Sequence, residues 1–502
     1  MTGPGGGSPR RRRSIVLMAH CLPPEESTGT TLVALGYASE LGKRGWDVAV
    51  VYASAGARGW DGVSELRRDH EPFVRYEVPR PEGLGATWSL DASSVPLDPS
   101  SEPDAAFVRL LDTLAPDLVH VVDNVHMPLS WPEIARARGV PVVRTVSSAE
   151  DICVLVAPVS PLSGRRGYCE PPLSPERCAA CFEAAVGPEW KNWSKEGGGT
   201  GTLPAGTSDV RGSRGDGRSA VATRAALSWW RSGVTEKILA KRARAARQFE
   251  SVFDRVIFAS EGYRRYFEKT LPLDPAIVRI VPMGVDLDAA PSAGSAGMPP
   301  AGSGTSSPGG LDAAPSGGSA GAPGPRPVHF LAAASIDRVK GFGSIVEAFT
   351  SPALLSRNDY VLHIAGGGER SPVRPLLDRN PRVVDEGAFS AADLPVLLAR
   401  CDVGLSTSFF ETFHRVTREY LRAGLPVIGS RAFGITDAIE HGRNGLLFDH
   451  AEPASLERAV CRLLDDRDLL ERLSRGASES LVRSVSGEVD DLESIYRELL
   501  DR

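Results

Sequence analysis

Twice along this chain of 502 residues, short apolar runs alternate with helical patterns at the spacing of β-α-β units. In the first block Ser14–His20, Asp47–Ala53, Asp117–Asp123, Pro141–Ser147 and Arg255–Ala259 read as strands. Helices are expected at Thr31–Arg44, Asp104–Leu114 and around Pro132–Arg138. The second block has strands at Val328–Ala333, Tyr360–Ala365, Arg382–Val384, Val403–Ser406 and Pro426–Gly429, with helices at Gly343–Thr350, Ala392–Ala399 and Phe413–Ala423. Continuous apolar strands joined by helices require parallel sheets covered on both faces. The expected class is α/β, with two Rossmann-like, doubly wound parallel-sheet domains facing a cleft.

Between the blocks, Leu287–Gly297 (LDAAPSAGSAG) is nearly repeated as Leu311–Gly321 (LDAAPSGGSAG). From Asp288 to Arg326 the only interior charge is Asp312, and there is no aromatic residue. Such a stretch buries too little apolar surface to offset its ordering entropy, so 287–327 reads as a flexible linker. It holds much of the excess in the chain's 52 Gly and 39 Pro. The expected organisation is a disordered tail at 1–13, an N-terminal domain at 14–286, the linker, a C-terminal domain at 328–485 and a terminal helix within 486–502. A cysteine-bearing insertion falls at about 153–220. In the last helix, read as Val489–Leu500, Leu492, Ile495, Tyr496, Leu499 and Leu500 form a face that must dock on something.

The formal net charge is −6, which provides no global field for nucleic acid. No apolar run reaches the length of a membrane span, and four arginines precede an apolar stretch too short for a convincing secretory signal; a cytoplasmic location is expected. The Arg- and Ala-rich stretch Arg224–Phe253 has two readings. One is a solvated helix packing Ile238, Leu239, Trp229 and Trp230 inward; the other is a basic helix making peripheral membrane contact.

Candidate chemistry gathers in the second block. Gly366, Gly367 and Gly368 follow a strand directly, so bare backbone could approach a phosphate or sugar. Lys340, one of only seven lysines, stands between a strand and a helix, where an ammonium favours bound anions. Glu411 sits at a strand-to-loop mouth and Glu419 two helical turns further on, before Gly424 and Pro426 end the helix.

Glu411-x7-Glu419, followed by Ala423–Ile428 and Ala438–Leu447, resembles the retaining glycosyltransferases of family four, which have the GT-B fold. Val281–Asp286, Lys340–Gly341 and the Gly366–Gly368 loop extend the resemblance over most of 255–450. It implies that Glu419 holds the ribose of a nucleotide sugar, that Glu411 contacts donor-sugar hydroxyls, and that Lys340 neutralises the leaving diphosphate. Backbone amides near Phe413, His414 and Arg415 would face the donor, and Gly29, after Thr28, would lie in the N-terminal loop against its phosphates. The implied reaction is front-face transfer with retention to an unidentified acceptor, requiring no metal.

Several positions depart from the pattern. Ser335 replaces an arginine, for which Arg338 is the candidate substitute, and Ser147 replaces a histidine expected beside the reaction centre. His120 and His126 are either its substitutes or structural residues. Cys153, Cys169, Cys178 and Cys181, which resemble a cysteine-containing subset of the family, leave a structural zinc site or plain thiols open. Two further alternatives are a catalytically silent nucleotide-sugar-binding member and a nicotinamide-dependent oxidoreductase.

Overall fold

The computed structural model describes residues 12–23, 29–54, 56–57, 59–60, 63–79, 101–123, 125, 127–153, 168–181, 234–286, 326–337, 339–390 and 392–501. The linker at 287–325, most of the cysteine insertion, Trp229, Trp230, His126 and Arg338 lie outside the described residues.

The N-terminal sheet contains β1 (Ser14–Ala19), β2 (Asp47–Ser54), β3 (Ser64–Leu66), β4 (Val74–Pro79), β5 (Leu118–Val121), β6 (Val142–Thr145), β7 (Arg255–Phe258) and β8 (Val278–Ile280). Their order is β3-β4-β2-β1-β5-β6-β7-β8, parallel throughout except for the antiparallel edge pair β3–β4. The second sheet contains β9 (Val328–Ala333), β10 (Tyr360–Ala365), β11 (Val383–Gly387), β12 (Val403–Ser406), β13 (Val427–Ser430) and β14 (Gly445–Phe448). It runs β11-β10-β9-β12-β13-β14, all parallel. Both orders reverse beside the first strand, so the open crevices lie at the carboxyl ends of β1/β5 and β9/β12.

Strand pleating divides the N-terminal core in two. Val16 and Met18 of β1 face helices α2 (Glu102–Leu114) and α3 (Trp131–Ala137), through Phe107, Leu110 and Trp131. Ile15 and Leu17 face α1 (Gly29–Lys43), through Tyr37 and Leu41. The same second face receives the C-terminal helix, α7 (Val485–Leu500), through Val489, Leu492, Ile495 and Tyr496. The terminal helix therefore crosses back to complete the N-terminal domain. His120 is buried between the two parts, its Nδ1 2.6 Å from the Tyr496 hydroxyl and its Nε2 2.7 Å from Thr145 Oγ1.

Glu488, on α7, accepts from Gly284 N at 2.8 Å and from the Tyr37 hydroxyl. Burial pushes its carboxyl up to about 7, against the downward pull of these bonds and of Arg483 and Arg415. The unfolded chain loses this proton first, so the contribution is complete below about pH 4.5 and is lost as pH rises through about 7. At most about 3 kcal/mol is at stake. Glu488→Gln should narrow the gap between melting temperatures measured at pH 5 and pH 8. It should not abolish that gap, because burial also pushes Glu150 up to about 7.

The helix expected at Arg224–Phe253 is described from Val234 to Ser251, as α4. Ile238 is buried, but Leu239 is 50% exposed, which corrects the expected inward packing of both. The reason is the helix phase: Lys237, Lys241 and Arg244 occupy the buried face instead, and Arg244 pairs with Glu133 at 3.0 Å. A helix with these cations turned inward does not present them to an anionic membrane. No helix among the described residues is long and apolar enough to cross a membrane.

Candidate active site

At the β9/β12 crevice, the loop after β9 carries Lys340 and the loop after β12 carries Glu411. Their side chains meet with Nζ to Oε1 at 2.7 Å. Asp337 fixes the first loop by accepting from Lys340 N at 3.0 Å and from Ser335 Oγ at 2.6 Å. Thr407 Oγ1 donates to Lys340 O at 2.9 Å, tying the two loops together. Gly341 permits this approach: it adopts φ +71°, and a Cβ there would lie 1.8 Å from Thr407 O. Ser335 thus orients the loop through Asp337.

Burial opposes both charges, but each partner outweighs it for the other. The charge and hydrogen bond of Glu411 hold the Lys340 ammonium above the ordinary lysine value. Lys340, His414 and Ser408 hold the Glu411 carboxyl below the ordinary glutamate value. His414, the αL residue capping α6 (Arg415–Arg422), is pushed down to about 4 by burial and stays a neutral imidazole. Its Nδ1 lies 2.6 Å from Thr417 Oγ1 and 3.3 Å from Thr417 N, and its Nε2 lies 3.8 Å from Glu411 Oε1.

Glu419 is buried on α6 and accepts from Arg415 Nε at 2.6 Å. Phe413 is also buried, among Ala259, Met283 and Val285, so its ring serves packing. Arg418 stacks on that ring at 3.7 Å and donates to the Phe413 and Gly434 carbonyls. Sequence reasoning missed Arg418; its signal was an Arg five residues beyond a Phe, within reach across one turn. Gly366–Gly368 stand at the carboxyl end of β10, pinned by Ile336 N donating to Gly367 O at 2.8 Å and by Arg370 Nη1 donating to Gly366 O at 2.9 Å. Gly29 opens α1 after β1, and among the described residues no atom lies within 4 Å of where a Cβ would stand.

In the N-terminal domain, Ser147 Oγ donates to Val122 O at 3.2 Å. His120 cannot act in place of the expected histidine, because both its nitrogens are committed and burial pushes it down to about 3. The structure describes all four cysteines of the insertion region. Cys153, Cys178 and Cys181 are buried, yet no three His, Cys, Asp or Glu among the described residues converge to hold a metal ion. Cys178 Sγ instead meets Arg242 Nη2 at 3.2 Å, and burial pushes its thiol up.

Residues 327–466 match the model for "Glycosyl transferases group 1", and residues 28–177 match that for "Glycosyl transferase 4-like domain". The two matches together take in more than half of the chain. It belongs to the family-four glycosyltransferases.

N-acetyl-alpha-D-glucosaminyl L-malate synthase of Bacillus anthracis is 29% identical over 167 residues, 32% of this chain and 43% of that protein. The chain spans less than half the length of the curated relatives it matches. Among solved structures, sucrose-phosphate synthase from Thermosynechococcus elongatus has a TM-score of 0.60 at 14% identity, covering 98% of this chain and all of that one. Anabaena HepE in complex with UDP and glucose has a TM-score of 0.55 at 14% identity, covering 97% and 100%. The architecture is the GT-B fold. Membership of this family overturns the oxidoreductase alternative.

Proposed function

We propose that the chain is a retaining, metal-independent glycosyltransferase moving a sugar from a nucleotide-sugar donor to an acceptor bound mainly by the N-terminal domain. The Lys340–Glu411 pair at the β9/β12 switch point is the observation that carries this reading. An ammonium there can take up the charge of a departing diphosphate while Glu411 accepts from sugar hydroxyls. In this reading Glu419 gives up part of its bond to Arg415 to hold the ribose, and Gly366–Gly368, Gly29 and Arg338 lie along the donor. Relatives' names touch both donor and acceptor chemistry: HepE was solved with UDP-glucose, one relative is GDP-mannose-dependent, and others are named for L-malate, D-inositol 3-phosphate or lipopolysaccharide core biosynthesis. The acceptor is accordingly either a small metabolite or a cell-surface polysaccharide intermediate.

A catalytically silent, nucleotide-sugar-binding member is the second reading, favoured by Ser147 at the histidine position with His120 committed elsewhere. A melting-temperature screen against UDP-glucose and GDP-mannose separates the two when followed by donor-turnover assays. Stabilisation with turnover supports transfer; stabilisation with turnover of no donor supports the silent reading. Glu419→Ala should weaken binding of the active donor about 30-fold, the worth of a hydrogen bond to a charged group.

A further inference from the structure

The loop bearing Glu411 is fastened to the opposite domain on both sides of that residue. On one side Phe410, although it belongs to the C-terminal domain, is buried within the N-terminal core cluster. Its ring lies 5.7 Å from Tyr263 and 5.5 Å from Tyr266, both on α5 (Glu261–Glu268). Phe433 closes the group at 6.0 Å from Phe410 and 5.3 Å from Tyr266. These separations lie in the range where aromatic pairs attract beyond simple burial. On the other side Thr412 Oγ1 donates to Ser147 O at 2.9 Å, across the cleft. The receiving segment is itself held, since the Tyr263 hydroxyl donates to Ser148 O at 2.6 Å. One tyrosine thus supports both fastenings.

We infer that Phe410 and Thr412 are positioning residues that set Glu411 against the donor only when the two domains are closed on each other. The inference rests on the proposed transferase reading. The Glu411 side chain is met by Lys340, Ser408 and His414 of its own domain, whereas its neighbours at positions 410 and 412 are held by the other domain. Opening the cleft breaks the Thr412 bond and pulls Phe410 from its aromatic site, removing the cross-domain restraint on each side of the carboxylate. Closure therefore assembles the site rather than merely covering it. The position occupied by the family's histidine also acquires a role here: the main-chain carbonyl of Ser147 receives the loop, and no imidazole is needed for that.

The test compares Thr412→Val, Thr412→Ser and Phe410→Ala with wild type in the full-length protein. Thr412→Val keeps the shape and removes the donor hydroxyl, so kcat should fall about tenfold with KM for the nucleotide sugar changed less than about threefold. Thr412→Ser, which restores a hydroxyl, should recover most of that loss. Phe410→Ala should lower kcat further and reduce the melting temperature. Hydrogen exchange gives a readout independent of turnover: peptides spanning 405–415 and 145–153 should exchange faster in Thr412→Val and Phe410→Ala, and those of β1 and α1 should not. Wild-type exchange and wild-type kcat in Thr412→Val, or a serine no better than valine, would overturn the inference. If the wild-type protein turns over no nucleotide sugar, the transferase reading fails, and the exchange comparison alone decides whether the loop is held across the cleft.

Discussion

Lys340→Ala should lower kcat at least about 100-fold, the usual cost of removing one preorganised group that stabilises developing charge. The effect is expected to be large because the substitution acts twice. It removes the ammonium available to the leaving diphosphate, and it leaves Glu411, whose side chain is only 13% exposed, as an unpaired carboxylate facing an anion. The stability cost should be smaller than for a fully buried pair, about 1–2 kcal/mol, because the Lys340 side chain is 28% exposed and partly screened by solvent. A melting temperature within a few degrees of wild type, with turnover all but lost, is the expected combination. Turnover retained in a well-folded Lys340→Ala protein would remove the lysine from the mechanism.

The same pair fixes the expected pH dependence. Glu411 is held below its ordinary value, so its contribution is present above that value and lost only as pH falls through the depressed one. Lys340 is held above its ordinary value, so its contribution is present below that value and lost only as pH rises through the raised one. Between about pH 6 and 9 the pair stays ionised. His414, pushed down to about 4, stays neutral over the same range and adds no inflection.

What could be read from sequence, and what could not, follows from the distance over which each feature is specified. β1, β9, β10 and β12 lie within a residue of their expected positions because a strand buried on both faces is a continuous apolar run. The edge strands β3 (SEL) and β8 (VRI) give no such signal: they are short, half polar and only partly buried. Lys340 and Glu411 were legible from loop position and residue type. Their ion pair spans 71 residues, and the bond from Thr412 to Ser147 spans 265. No local pattern encodes such partners. Leu239 illustrates the converse limit, since composition announced an amphipathic helix but not which face the cations of a basic helix would take.

Deleting residues 485–502 should abolish cooperative folding, although the segment is the far end of the chain from the domain it completes. Val489, Leu492, Ile495 and Tyr496 are buried in the core face shared with Ile15, Leu17, Tyr37 and Leu41. At about 1.5–3 kcal/mol for each buried apolar side chain, their loss amounts to about 6–12 kcal/mol, comparable with the whole stability of a typical domain. That sum is an upper figure, because the unfolded chain already buries some of this surface. Polar losses add to it. His120 Nδ1 would lose the Tyr496 hydroxyl, Trp46 Nε1 would lose Glu493 at 2.7 Å, and Gly284 N would lose Glu488, each left buried without that partner. Tyr496→Phe keeps the ring and removes only the hydroxyl, so it should cost about 1 kcal/mol and leave a cooperative melt. Circular dichroism of the two proteins side by side distinguishes a missing contact from a missing wall of the core. A truncated chain that melts cooperatively near the wild-type temperature would mean that the terminal helix merely rests on the N-terminal domain.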